Sequence, residues 1–174
     1  MKFVNLKDIK EWTIQGYGDA GFRSMPDRTS SCGGHVILLA NKEQGLASIL
    51  CWRSKKIKRV VSSSTAAEAL AANDTLDEMI YIRCVLNEVL GCVAEKIPLE
   101  LYTDCKNLHD NVNSSTLAEN PRLRTDIVKL KNSLRDRELQ SFVHVKGKDM
   151  IADVLTKREA PGFSHMEILR TGVL

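Results

Sequence analysis

Leu99-Glu100-Leu101-Tyr102-Thr103-Asp104-Cys105-Lys106-Asn107-Leu108 changes its hydrophobic period partway along. Leu99, Leu101 and Thr103 alternate with Glu100 and Tyr102, which is the period of a strand. Pro98 stands at its entry, where a missing N–H is tolerated. The alternation stops at Asp104, and Leu108 and Val112 resume at helical spacing. Open α/β sheets place their chemistry at the carboxyl end of a strand with a helix starting behind it. Asp is also a preferred N-cap, so Asp104 alone fits either role and its partners must decide.

Upstream, Ser62-Ser63-Ser64-Thr65 opens a long helix whose apolar side carries Ala67, Leu70, Ala71, Leu76, Ile80, Cys84 and Leu86 or Leu90. Gly91 ends it. Thr65-x-x-Glu68 reads as a capping box, which gives Glu68 a structural job. The small alanines around Glu68 let the helix lie close to a sheet. Earlier still, Thr13–Phe22 reads as a strand running into a glycine-rich turn, Gly16-Tyr17-Gly18-Asp19-Ala20-Gly21. Met25–Ser31 is a polar loop. Gly33–Ala40 and Gly45–Trp52 form a hairpin around Asn41–Gln44, and Val60-Val61 is a short strand end. Downstream lie a polar connector, Asn113–Glu119, and a helix, Pro121–Asp136, with proline in its first turn. A strand, Glu138–Lys146, is followed by a short helix capped by Asp149 and containing Asp153, and by a terminal helix over Phe163–Leu169. Asp153 has first-turn dipole compensation as a structural role.

Composition suits one domain. A chain of 174 residues with 43% hydrophobic and 27% charged residues can bury about two-thirds of its unfolded surface. Residues 1–12 read as a lead-in or linker and 13–174 as a single domain. No apolar run is long enough to cross a bilayer. The N-terminus lacks the pattern of a secretion signal, so a reducing, cytoplasmic setting is expected. The five cysteines (Cys32, Cys51, Cys84, Cys92, Cys105) contain no Cys-x-x-Cys pair and read as free thiols. Net charge is only +3, with pI near 8.6, but it is unevenly spread. Arg53, Lys55, Lys56, Lys58 and Arg59 cluster, and Arg122, Arg124, Lys129, Lys131, Arg135 and Arg137 mark a second segment. Such runs are either solvated faces or anion-binding patches.

The predicted order is three antiparallel strands followed by crossover units, with Asp19, Glu68, Asp104 and Asp153 at element ends or first turns. Several strings then occur in sequence: Asp19-Ala20, Cys51-Trp52-Arg53-Ser54-Lys55-Lys56, and Ser63-Ser64-Thr65-Ala66-Ala67-Glu68-Ala69-Leu70-Ala71. Leu101-Tyr102-Thr103-Asp104 and Ile151-Ala152-Asp153-Val154-Leu155-Thr156-Lys157 complete them. Over Tyr17 to Lys157 this resembles the ribonuclease H domain of copia-like LTR retrotransposon Pol polyproteins. The resemblance implies a ribonuclease H-like α/β fold with a five-stranded mixed sheet flanked by helices. It implies a metal-dependent endonuclease hydrolysing the RNA strand of RNA–DNA hybrids during reverse transcription, with an upstream reverse transcriptase domain in the same polyprotein and no membrane partner. Virus-like particles become a second expected location.

Carried over, Asp19 bridges two Mg²⁺ ions, with Mn²⁺ as substitute; Glu68 and Asp104 hold the leaving-group ion and Asp153 the ion that activates water. Carboxylates side by side need such cations to offset their repulsion. Arg53, Lys55, Lys56, Lys58, Ser63, Ser64, Thr65 and Lys106 are the expected nucleic-acid contacts.

The chain departs from the pattern in three places. Lys146-Gly147-Lys148-Asp149 occupies the loop where relatives carry a mobile histidine, leaving His144 and His165 as candidate substitutes or as ordinary packed or solvated histidines. Cys105-Lys106 replaces a small polar residue and an amide, and no Tyr-x-Asp-Asp polymerase string is present. The alternative is a ribonuclease H-like module that binds nucleic acid or protein without cleaving; retention of all four acids favours the enzyme.

Overall fold

A computed structural model describes residues 11–91, 97–115, 120–157, 167–168 and 170–173. Strands β1 (Trp12–Gly21), β2 (Cys32–Asn41) and β3 (Leu46–Lys56) precede the 27-residue helix α1 (Ser64–Leu90). Then come β4 (Leu99–Thr103), α2 (Lys106–Asn113), α3 (Pro121–Arg135), β5 (Ser141–His144) and α4 (Asp153–Thr156). The strands form one mixed sheet in the order β3-β2-β1-β4-β5. β1, β2 and β3 run antiparallel, while β4 is parallel to both β1 and β5. This is the five-stranded mixed sheet expected from the sequence.

Both faces of the sheet are covered. On one, α1, α2 and α3 bury Ile14, Ile37, Leu76, Met79, Leu99, Leu101, Leu108, Ile127 and Leu130. On the other, Tyr17, Val36, Leu38 and Ile49 pack under Met150, Ile151, Ala152 and Ile168. The Tyr17 and Tyr102 rings stack there at 4.6 Å, and burial, then the charges of Glu100 and Asp149, push the Tyr17 hydroxyl up to about 12.

The glycine-rich segment is strand, not turn. β1 continues through Gly21, and Gly16 and Gly18 serve close approach: a Cβ on Gly16 would sit 2.2 Å from Met79 Sδ, and one on Gly18 2.6 Å from Thr75 Oγ1. The alanine-rich half of α1 can therefore lie directly on β1. Gly18→Ala is expected to destabilise the protein by about 1–3 kcal/mol, read as a lower urea midpoint at unchanged slope; an unchanged midpoint would mean that α1 can lift without cost.

Other expectations shift. Val60-Val61 is not strand; Val61 is buried while Val60 is 89% exposed. The last strand is shorter than Glu138–Lys146. Asp149 lies in a 3-10 turn, Gly147–Asp149, and α4 has Ala152 at its N-cap, so Asp149 does not cap it. Trp12, assigned to the lead-in, begins β1, and residues 1–10 lie outside the described residues. Phe163–Leu169 falls largely outside them, although 167, 168, 170 and 171 are helical. Cys32, Cys51, Cys84 and Cys105 are free thiols, and Cys92 lies outside the described residues.

Candidate active site

Parallel pairing of β1 with β4 sets the site. Tyr17 stands opposite Tyr102, so two residues further along each chain Asp19 comes beside Asp104, at the carboxyl ends of adjacent strands. Asp104 is not a helix cap: α2 begins at Lys106 with Cys105 as N-cap, and the Cys105 N–H is held by Thr103 Oγ1 at 3.1 Å. The capping reading of Glu68 fails likewise. Ser63 is the N-cap of α1, and its hydroxyl accepts from the Ala66 N–H at 3.2 Å. That places Glu68 beyond the capping-box position, on the buried side of α1. Both acids are thus released from the local structural roles that their sequence neighbours offered them.

Asp153 reaches the site because α4 crosses β2 closely. A Cβ on Gly34 would sit 2.9 Å from both Leu155 Cβ and Thr156 Cγ2, and Ser54 Oγ donates to the Leu155 carbonyl at 2.6 Å. Asp19, Asp104 and Asp153 each offer an oxygen within 4.8 Å of the others. Glu68 comes from α1, takes a hydrogen bond from the Ala20 backbone, and feels the charges of Asp19 and Asp104. It is not part of the three-residue cluster.

Two of the acids are buried with little compensation for their charge. Asp19 is 1% exposed and Glu68 8%, yet Asp19 Oδ1 and Glu68 Oε2 have no hydrogen-bond partner. Buried polar atoms are rarely left so. Burial, with the charges of Asp19 and Asp104, lifts Glu68 to about 9. Burial and the charges of Asp153 and Asp104 raise Asp19 as well, against the Thr156 hydroxyl that donates to its Oδ2 and the nearby Lys157. Hard oxygen donors with two orphaned buried lone-pair sites fit a divalent cation such as Mg²⁺ or Mn²⁺.

Thr156 and Lys157 were not singled out from the sequence. Lys157 Nζ lies 2.6 Å from Asp153 Oδ1 and 3.8 Å from Asp104 Oδ2. Its signal was available, since Lys157 follows Asp153 at i,i+4 spacing. Burial lowers the Lys157 pKa, but the Asp153 hydrogen bond and the charges of Asp19, Asp153 and Asp104 outweigh it and raise the pKa overall. Thr156 stands in the Ile151–Lys157 string, but its contact with Asp19 spans 137 positions and has no local signal.

Of the expected nucleic-acid contacts, several have other partners. Arg53 pairs with Glu78 at 3.2 Å, Lys55 with Asp74 at 2.7 Å and Lys56 with Asp27 at 3.3 Å. Arg59 pairs with Asp126. Lys58, Ser64 and Lys106 are exposed, Ser63 caps α1, and Thr65 hydrogen-bonds Cys105. His144 Nε2 lies 3.2 Å from the Asp104 carbonyl oxygen, whereas His165 is outside the described residues. Gly147, in the loop after β5, would put a Cβ 3.6 Å from Asp104 Oδ2, so that loop borders the site.

No family model matches the chain. It is 31% identical over 161 residues to the retrovirus-related Pol polyprotein from transposon RE1 of Arabidopsis thaliana, covering 88% of this chain and 10% of that polyprotein. The polyprotein from transposon RE2 of the same plant is 30% identical over 161 residues, with the same coverage. The chain therefore spans about a tenth of the length of these relatives. Among solved structures, LC11-RNase H1 in complex with RNA/DNA hybrid superposes with a TM-score of 0.61 at 18% identity, over 84% of this chain and 95% of that one. The N-terminal RNase H domain of a Mycobacterium tuberculosis protein gives 0.56 at 16% identity, over 89% and 96%. The chain thus shares its sequence with a segment of retrovirus-related Pol polyproteins and its fold with the ribonucleases H.

Proposed function

We propose that the chain is a divalent-metal-dependent endonuclease that hydrolyses the RNA strand of RNA–DNA hybrids during retroelement reverse transcription, alongside a polymerase domain of the same polyprotein. The observation that carries this reading is the meeting of Asp19, Asp104 and Asp153 from β1, the end of β4 and α4, with Glu68 beside them and two buried carboxylate oxygens unpartnered. Asp19, Glu68, Asp104 and Asp153 are the residues that would hold the cations, Mg²⁺ or Mn²⁺. Bound there, a pair of such ions would supply electrostatic stabilisation to an in-line phosphodiester displacement.

The protein's own groups prepare that chemistry. Thr156 holds one Asp19 oxygen, leaving Oδ1 for a ligand. Tethering of α4 to β3 through Ser54 keeps Asp153 at the mouth. Substrate choice would rest on groove shape and RNA 2′-hydroxyls rather than on base sequence.

The basic edge would hold the backbone of the hybrid. Its ion pairs join half-exposed partners, and such pairs contribute only about 0.2–1 kcal/mol each, so phosphate can replace the carboxylates. Neutralising Lys55, Lys56 and Lys58 together is expected to weaken hybrid binding and to lower the slope of log affinity against log salt by up to about 3. An unchanged slope in a salt titration would remove these lysines from the interface.

Labelled RNA–DNA hybrid, double-stranded RNA and double-stranded DNA, each with Mg²⁺, Mn²⁺ or chelator, test the function. The expected result is cleavage of the hybrid's RNA strand alone, leaving 3′-hydroxyl ends, only with divalent cation. Hybrid binding without cleavage under every condition would instead identify a binding module.

A further inference from the structure

Lys157 is the first residue after α4, and the backbone leading into it is tied down. Its N–H donates to the Asp153 carbonyl at 2.8 Å. The preceding Thr156 is buried and donates to Asp19, and the Leu155 carbonyl takes the Ser54 hydroxyl at 2.6 Å. The lysine side chain extends from this anchored turn into the acid cluster. Its ammonium spans two of the acids, 2.6 Å from Asp153 Oδ1 and 3.8 Å from Asp104 Oδ2, while the side chain remains 46% exposed. Two basic residues of β3 are engaged elsewhere, Arg53 with Glu78 and Lys55 with Asp74.

That combination is unlike a structural ion pair. The exposure of its cation matches that of other pairs, such as Lys42 at 52% and Arg59 at 50%; what differs is that one ammonium faces two acids of the cluster. Here the carboxylates and their neighbours are packed and tethered, but the ammonium sits on a flexible four-carbon stem with open solvent beside it. An ammonium 2.6 Å from Asp153 Oδ1 repels a divalent cation approaching the same oxygen, so the two compete for it.

We propose that Lys157 is an exchangeable countercharge: it occupies Asp153 and Asp104 while no divalent cation is bound and must swing away for those oxygens to become ligands. The inference rests on the proposed divalent-cation site and adds a residue that sets its affinity. By competing for the same oxygens, Lys157 raises the cation concentration at which the site fills. It also limits the repulsion among Asp19, Asp104 and Asp153 when the site is empty of metal. A merely structural i,i+4 pair has the opposite consequence, since its loss would leave Asp153 less well placed and weaken cation binding.

Calorimetric titration of the chelator-treated full chain with Mn²⁺ separates the two, using wild type, Lys157→Gln and Lys157→Arg, with thermal melts in chelator alongside. Lys157→Gln is expected to bind Mn²⁺ roughly three- to tenfold more tightly, to melt lower in chelator, and to gain more from added Mn²⁺. Lys157→Arg, which keeps the charge, should stay near wild type. Should the Gln variant fail to fold, NMR of the wild-type Lys157 side chain during a Mg²⁺ titration gives the same answer: its Nζ and Cε signals should move to those of a solvated lysine. Affinity unchanged or weakened in a folded Gln variant, or a Lys157–Asp153 hydrogen bond persisting at saturating Mg²⁺, overturns the countercharge role while leaving the proposed function in place. Failure of Mn²⁺ to bind wild type and variants alike overturns both.

Discussion

Asp104→Asn is expected to leave the protein folded and to lower hybrid cleavage by about 10²-fold or more. The folded state survives because Asp104 caps no helix; α2 takes Cys105 as its N-cap, and the carboxylate's ion pair is the loose one to Lys157 at 3.8 Å. Removing one negative charge from a group of acids relieves repulsion as well. Activity falls because Asn offers a neutral carbonyl where an anionic ligand is required. A melt within a few degrees of wild type, together with lost cleavage, separates this outcome from unfolding. Full activity would show that the carboxylate at the end of β4 has no part in the chemistry.

Glu68→Gln makes the protein more stable and inactive at the same time. In the metal-free protein Glu68 is lifted to about 9 by burial and by Asp19 and Asp104, while in the unfolded chain it titrates near the ordinary value of about 4.3. The folded state therefore binds more protons than the unfolded state between those values, and stability falls as pH rises through that window. The slope approaches about 1.4 kcal/mol per pH unit for one proton. Gln carries no proton to take up and has no role in the Ser63 cap, so the variant is expected to gain on the order of 1–3 kcal/mol in chelator at pH 7. It should also lose most of the pH slope. Urea unfolding in chelator at pH 5, 6, 7 and 8 reads both effects. A wild type whose stability is flat or rises across that range would mean that Glu68 is not a buried, strained carboxylate.

How much of this was legible in the sequence follows from the distance over which each interaction acts. Alternation in Leu99–Thr103, the hairpin around Asn41–Gln44 and the proline at the start of α3 are local signals, and each element formed where its pattern placed it. Local ambiguity was resolved only by packing. Thr65-x-x-Glu68 satisfies a capping box on paper, but α1 starts two residues earlier than that box requires, at Ser64, because Ser63 supplies the cap. Gly16 and Gly18 looked like turn residues, since nothing in the string says that Met79 and Thr75 will press on them. The basic run read as an open patch, because its partners Asp27, Asp74, Glu78 and Asp126 lie on a loop, α1 and α3. The contact of Thr156 with Asp19 was invisible for the same reason. Lys157, by contrast, stood four residues from Asp153 and could have been paired with it.

The central claim is that Asp19, Glu68, Asp104 and Asp153 together hold divalent cation. Crystals grown with Mn²⁺ and a non-cleavable RNA–DNA hybrid, measured near the manganese edge, test it most directly. Anomalous peaks within about 2.0–2.3 Å of oxygens of Asp19 and its three partners are expected, with the hybrid's phosphate completing the coordination. Manganese at saturating concentration bound elsewhere on the protein, with these carboxylates unliganded, would contradict the account.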